Sequence, residues 1–176
     1  MKTIANDVRL LGIARNILGE SAFPFRATLF DKSPGANWLI AWHQDSALPL
    51  QEKHATPGWG PWSVKEGIVY AHAPAGPLEQ VAALRLHVDD CTPDNGPLRV
   101  LPGTHRLGVL SDDEVERKAA DEPAVECTIP RGGVLAMRPL LIHASSKSAS
   151  FMSRRVVHIE YAASIDLGDG LRLAIA

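Results

Sequence analysis

Apolar residues recur at helical spacing only near the start of the chain. In 6–18 (NDVRLLGIARNIL), Leu10, Ile13, Ile17 and Leu18 fall near one face, and Asn6 or Asp7 stands where an N-cap belongs. Beyond Pro24 the period changes. Short β-prone runs follow one another at 25–31, 37–44, 66–72, 80–89, 97–101, 124–129, 132–137 and 154–162. Turn chemistry parts them, at Ser33-Pro34-Gly35, Pro93-Asp94-Asn95-Gly96, Pro102-Gly103 and Arg131-Gly132-Gly133. A second helix is expected over 111–120, where Ser111 and Glu114 have the spacing of a capping box. Many short strands and few helices predict a mainly β fold, a sandwich or barrel such as a jelly roll. The stretch 46–65 breaks the pattern with Pro49, Pro57, Gly58, Gly60 and Pro61 set around Trp59 and Trp62. A loop of that length is expected to be functional, here a lid.

The length of 176 residues suits one domain spanning 1–176. A formal net charge of −2 and the absence of a basic stripe exclude a nucleic-acid partner from the expectations. No apolar run approaches the ~20 residues that a membrane span needs. The opening MKTIANDVRLLGIARN has no secretory h-region, and Cys91 and Cys127 form neither a disulfide framework nor a zinc knuckle. These features predict a reduced, cytoplasmic domain.

Candidate chemistry begins at His43-Gln44-Asp45, at the end of an expected strand. Strand side chains alternate, so His43 and Asp45 share one face and can reach one ion. A second imidazole from elsewhere would complete two histidines and one carboxylate, a set that leaves metal positions open. His54, His72, His87, His105, His143 and His158 are the candidates. His143 ends the apolar run VLAMRPLLI and is followed by Ser145 and by Arg154-Arg155, cations able to grip a carboxylate. Taken alone, these residues read by default as a surface His–Asp pair and a core histidine bonded to backbone.

The segments LFDKSPGANWLIAWHQD, DNGPLRVLPGTHRLG and GGVLAMRPLLIHASSKSASFMSRRVVHIEYA resemble the phytanoyl-CoA dioxygenase-like family, in its order and over most of 25–162. The resemblance implies a double-stranded β-helix (a cupin-like jelly roll) that uses iron(II), 2-oxoglutarate and dioxygen. It implies that His43, Asp45 and His143 are the iron ligands. Arg154 matches the anchor of the 2-oxoglutarate carboxylate, and Ser145 matches a hydroxyl that assists it. The expected reaction is hydroxylation of an unactivated C–H bond of a small organic molecule, with release of succinate and carbon dioxide.

Periodicity sets one difficulty. Arg155 shares a face with Val157, Ile159 and Tyr161, which reads as the core side, whereas Arg154 goes with His158 and Glu160. Arg154 is the preferred anchor, with Arg155 in reserve. Lys32 is read as a solvated lysine beside a turn, and His105 of the PGTH motif as architecture. Family members carry more chain before the first strand, so part of a pocket wall is expected to be missing or supplied by a partner subunit, as in a homodimer. Two other classes remain open: a zinc-type hydrolase or isomerase, and a 2-oxoglutarate-binding sensor without turnover.

Overall fold

The computed structural model describes residues 2–175. Two helices precede the strands, α1 (Lys2–Ala5) and α2 (Val8–Leu18). Asp7 caps α2 by accepting from the Arg9 backbone N–H, and Gly19 ends it at a φ of 97° that favours glycine. An 11-residue helix does not hold itself together in water. Its stability comes from Leu10 and Ala14, which are buried against Leu84, Val157, Ile159 and Tyr161.

The strands follow as β1 (Phe23–Lys32), β2 (Ile40–His43), β3 (Ala47–Leu50), β4 (Trp62–Lys65) and β5 (Ile68–His72). After the short α3 (Ala75–Glu79) come β6 (Val81–His87) and β7 (Leu98–Val100). A 3-10 turn at Thr104–Arg106 leads to α4 (Asp112–Asp121), where the expected capping box of Ser111 and Glu114 is formed. The chain closes with β8 (Val125–Cys127), β9 (Val134–Met137), β10 (His143–Ser145), β11 (Arg154–Ala162), β12 (Asp166–Gly168) and β13 (Leu171–Arg172).

One four-stranded antiparallel sheet has the order β1-β11-β6-β9, and a second has the order β2-β10-β7-β8. Residues of both line one cavity, and Ala83 and Met137 of the first pack with Leu98 and Val100 of the second. This is the jelly-roll arrangement that the strand pattern predicts. Registers on the larger sheet bring Lys32 opposite Arg154, Thr28 opposite His158 and Arg26 opposite Glu160. On its other side β11 sets His158 opposite Arg85 and Val156 opposite His87.

The stretch 46–65 differs from the expected lid loop. β3 and β4 flank β5 in a three-stranded sheet, and Trp59 is buried among Phe25, Leu48, Leu50 and Leu78. Pro49 is tolerated because β3 is an outer strand of that sheet. The hairpin β12–β13, which no sequence pattern marked, adds Leu167 and Leu171 to the same core. Among the described residues, no helix is long and apolar enough to cross a membrane.

Candidate metal centre and anion pocket

His43 and His143 lie directly opposite each other across the β2–β10 ladder. Their ring centroids are 4.2 Å apart. Each Nδ1 sits 2.8 Å from a backbone carbonyl two residues earlier, that of Ala41 or Leu141. A carbonyl can only accept, so Nδ1 carries the hydrogen and Nε2 presents its lone pair. Asp45 reaches both rings, with Oδ1 3.5 Å from His43 Nε2 and Oδ2 3.6 Å from His143 Nε2. The three donor atoms all lie within 4.8 Å of one another.

This donor set fits a divalent first-row metal. Bonds of ~2.1 Å to nitrogen or oxygen give an octahedron with edges of ~3 Å, close to the spacing already present. Two imidazoles and a carboxylate on one side leave other positions for exogenous ligands. The backbone bonds to Nδ1 fix the tautomer that a metal needs.

Gln44 explains why the turn after β2 holds its shape. Its side-chain amide donates to the carbonyls of Gly108 (2.9 Å) and Leu140 (2.7 Å) and accepts from the Leu110 N–H (2.9 Å). The Asp45 N–H donates to the Pro139 carbonyl at 2.9 Å. Gln44 therefore pins the strand end while its neighbours on either side face the metal position.

The electrostatics suit a cation. Burial pushes the Asp45 carboxyl up, but the two imidazoles outweigh it and hold Asp45 well below the usual carboxylate range. Burial lowers His143, with the Asp45 carboxylate opposing it. For His43, burial is outweighed by Asp45 and the Ala41 carbonyl, and its pKa lies above the ordinary imidazole value.

Arg154 turns into the same cavity and is buried, with Nε donating to the Asn95 carbonyl at 3.1 Å. Arg155 turns out and pairs with Asp89 at 2.7 Å. Lys32 departs from its expected place in solvent. It is 1% exposed, and its Nζ donates to Ser145 Oγ (2.8 Å) and to the Ser146 carbonyl (2.6 Å). Ser145 passes its own hydrogen to the Gly96 carbonyl at 2.9 Å. Burial and the nearby arginines push Lys32 down to about 8.

Arg85, in β6, lines the cavity as well and donates to His158 Nδ1 at 3.1 Å. Burial and Arg85 push His158 down to about 3, so it is a neutral acceptor. Among the described residues, Lys32, Arg85 and Arg154 have no carboxylate within ion-pair distance, whereas Arg26 is paired with Glu160. Three buried cations without a counter-ion are costly unless an anion joins them.

The other histidines stand apart. His72 is exposed and bonded to Ser46 at 2.7 Å, and His54 is exposed. His105 belongs to the 3-10 turn and lines separate clefts. His87 is buried, and both ring nitrogens lack a hydrogen-bond partner. Sequence reasoning missed Arg85 and Gln44 and misplaced Lys32. A signal existed for Lys32, since Arg26, Thr28, Phe30 and Lys32 share one face of a single strand.

The model of the family described as Phytanoyl-CoA dioxygenase (PhyH) matches residues 2–156. An L-proline trans-4-hydroxylase of Streptomyces griseoviridis is 27% identical over 180 residues, covering 86% of this chain and 59% of that protein. An ectoine dioxygenase of Sphingopyxis alaskensis is 27% identical over 148 residues, covering 77% of this chain and 42% of its own length. The chain thus spans less than two thirds of either relative. Among solved structures, AviO1 from Streptomyces viridochromogenes Tue57 superposes with a TM-score of 0.64 at 25% identity, over 91% of this chain and 59% of that one. EctD from S. alaskensis, crystallised with 2-oxoglutarate and 5-hydroxyectoine, gives a TM-score of 0.66 at 23% identity, over 91% and 51%. That likeness is one of fold.

Proposed function

This chain belongs to the phytanoyl-CoA dioxygenase family, and from that premise we propose that it is a non-heme iron(II)- and 2-oxoglutarate-dependent dioxygenase hydroxylating a small organic molecule. The observation that carries the reading is the convergence of two bare Nε2 atoms and a carboxylate beside buried cations that have no anion. His43, Asp45 and His143 would hold the metal. When bound, iron(II) with 2-oxoglutarate supplies the oxidising chemistry that turns dioxygen and co-substrate into succinate, carbon dioxide and a hydroxylated C–H position.

The chain's own residues do the rest by position. Asp45 offsets the charge of the cation, and Gln44 keeps its strand end from swinging. Arg154 and Lys32 grip the remote carboxylate of 2-oxoglutarate from one end of the cavity. Ser145 acts on that carboxylate through Lys32, whose ammonium it receives. Phe30, Ile40 and Leu98 supply apolar wall that excludes water from the reacting centre. A zinc hydrolase or isomerase would have no use for unpaired cations there. Both named relatives act on small molecules, which supports a small substrate for this chain too.

The test is anaerobic loading with iron(II) followed by titration with 2-oxoglutarate, watching for the weak visible charge-transfer band of the chelate. The band is expected in the wild type and lost in His143→Ala. A folded, iron-loaded wild type without the band refutes the assignment. A band without succinate release under oxygen, across a substrate panel, identifies a sensor instead.

A further inference from the structure

Charge balance on the inward face of the larger sheet carries one step more, resting on the reading above. The ionisable groups there are Lys32, Arg26, Arg85, Arg154 and Glu160, together with His158 and His87, which burial and Arg85 hold neutral, and Asp45 reaches the same cavity from the end of β2. Arg26 is answered by Glu160. Asp45 faces the two imidazoles and would answer the cation that the three residues hold. On the proposed function, Arg154 and Lys32 would be answered by the remote carboxylate of 2-oxoglutarate.

Arg85 is left over. It is 7% exposed, yet its hydrogen-bond partner is a neutral imidazole. Its guanidinium lies over the Phe30 ring, 5.4 Å from the centroid, and Phe30 in turn meets the edge of His158. These contacts orient the side chain without neutralising it. Burial and the neighbouring Arg154 push it down to about 10, so it stays charged at physiological pH. Arg85 stands opposite His158, four residues along β11 from Arg154. That separates the two backbone positions by ~13 Å at the strand rise of ~3.3 Å per residue, so the two arginines enter the cavity from different levels of the sheet, near enough for Arg154 to act on the Arg85 charge.

We propose that Arg85 receives a carboxylate of the organic substrate, so that the substrate class of this enzyme is small organic anions. The guanidinium fork matches a carboxylate in two parallel bonds, and Phe30 and His158 hold it ready before the substrate arrives. The substrate is thereby fixed by a group remote from the bond that reacts, which is how positioning contributes to rate.

The experiment uses the protein loaded with zinc in place of iron and saturated with 2-oxoglutarate. Formate, acetate and L-proline are titrated against formamide, acetamide and L-prolinamide, following arginine Nε–H signals in nitrogen-15 spectra. The Arg85 signal is identified by its loss in Arg85→Gln. The acids are expected to shift it saturably and the amides to leave it unmoved. Arg85→Gln should weaken formate binding at least about tenfold, and Arg85→Lys should restore part of it. Acids and amides acting alike, or no saturable shift with any acid, overturns the proposal. So does an Arg85 signal that moves with 2-oxoglutarate alone and then ignores formate, since the anion would be the co-substrate's own. The iron charge-transfer band separates the two readings. A silent Arg85 beside an intact band removes this inference alone, and a formate response without the band removes the oxygenase assignment alone.

Discussion

Replacing Arg154 by glutamine tests the pocket most sharply, because Arg155 beside it is a built-in control. Arg154 commits Nε to the Asn95 carbonyl, which leaves its two terminal nitrogens for a ligand. Charge-assisted bonds contribute ~1.5–3 kcal/mol each, and truncating one side of a buried charged pair costs ~2–5 kcal/mol. Lys32 remains in Arg154→Gln and keeps part of the attraction, so ~3 kcal/mol is the reasonable loss, or about 100-fold in 2-oxoglutarate affinity. Stability of the ligand-free protein should hardly change, because a buried cation without a counter-ion leaves along with its one hydrogen bond. Arg155→Gln breaks an exposed pair with Asp89 and should leave 2-oxoglutarate affinity as it was. The assay is titration of the iron(II) chelate band in each variant, with thermal melting of the same samples. Equal losses in the two variants, or an undiminished affinity in Arg154→Gln, would falsify the assignment of opposite faces to these neighbours.

Further outcomes follow from the same geometry. Gly96→Ala places a Cβ 2.5 Å from the Ser146 carbonyl at a φ of +70°, which should cost ~2–4 kcal/mol. Because that carbonyl also holds Lys32, 2-oxoglutarate affinity should fall too, and an unchanged melting temperature would contradict the close approach. Gln44→Ala should weaken metal binding by ~10- to 100-fold through the loosened strand end, read by competition with a colorimetric chelator. Metal affinity should also fall in acid, since His43 must give up its proton and its pKa is raised. On the stability side, burial and the Arg85 charge push His87 down to about 4, and burial pushes His158 down to about 3. Below the ordinary value near 6.5 the unfolded chain takes up protons that the folded one refuses, so stability is full above about pH 6.5 and is lost as pH falls toward 4. His87→Leu removes one of these groups and two unpartnered buried nitrogens. It should raise the neutral-pH melting temperature and flatten the acid limb; a lower melting temperature with an unchanged limb refutes this.

Local chemistry made some of this legible. The period of two put His43 and Asp45 on one face, and the Ser111–Glu114 spacing placed the start of α4. His143 was different: nothing in its own neighbourhood separates a ligand from a core histidine, and the family resemblance singled it out. Lys32 was misread because its burial is decided by Ser145 and Ser146, more than 110 residues away in sequence. The face that Lys32 shares with Arg26, Thr28 and Phe30 is legible in the sequence, but no local pattern says that this face is covered. The stretch 46–65 was misread for a related reason. Its proline and glycine content describes turns well, but β3 and β4 exist through pairing with β5.

The Arg154–Arg155 difficulty shows how the fold assigns its two faces. The apolar side of β11 looks like the interior in a one-strand view, and it is indeed buried, but beneath α2 rather than inside the barrel. Val157, Ile159 and Tyr161 meet Leu10 and Ala14 there, and the Tyr161 hydroxyl donates to the Ala5 carbonyl at 2.9 Å. The opposite side is left to face the cavity through Arg154 and His158, with Glu160 buried beside them against Arg26. The helix thus supplies hydrophobic burial that lets the inner face hold Arg85 and Arg154 without a carboxylate partner. The two sets should separate by experiment along one strand. Truncations at 157, 159 and 161 should lower melting temperature by the several kcal/mol typical of core deletions. Substitutions at 154 and 158 should instead appear first in the affinity for anions, and a β11 whose two faces respond alike would mean that this division of labour is wrong.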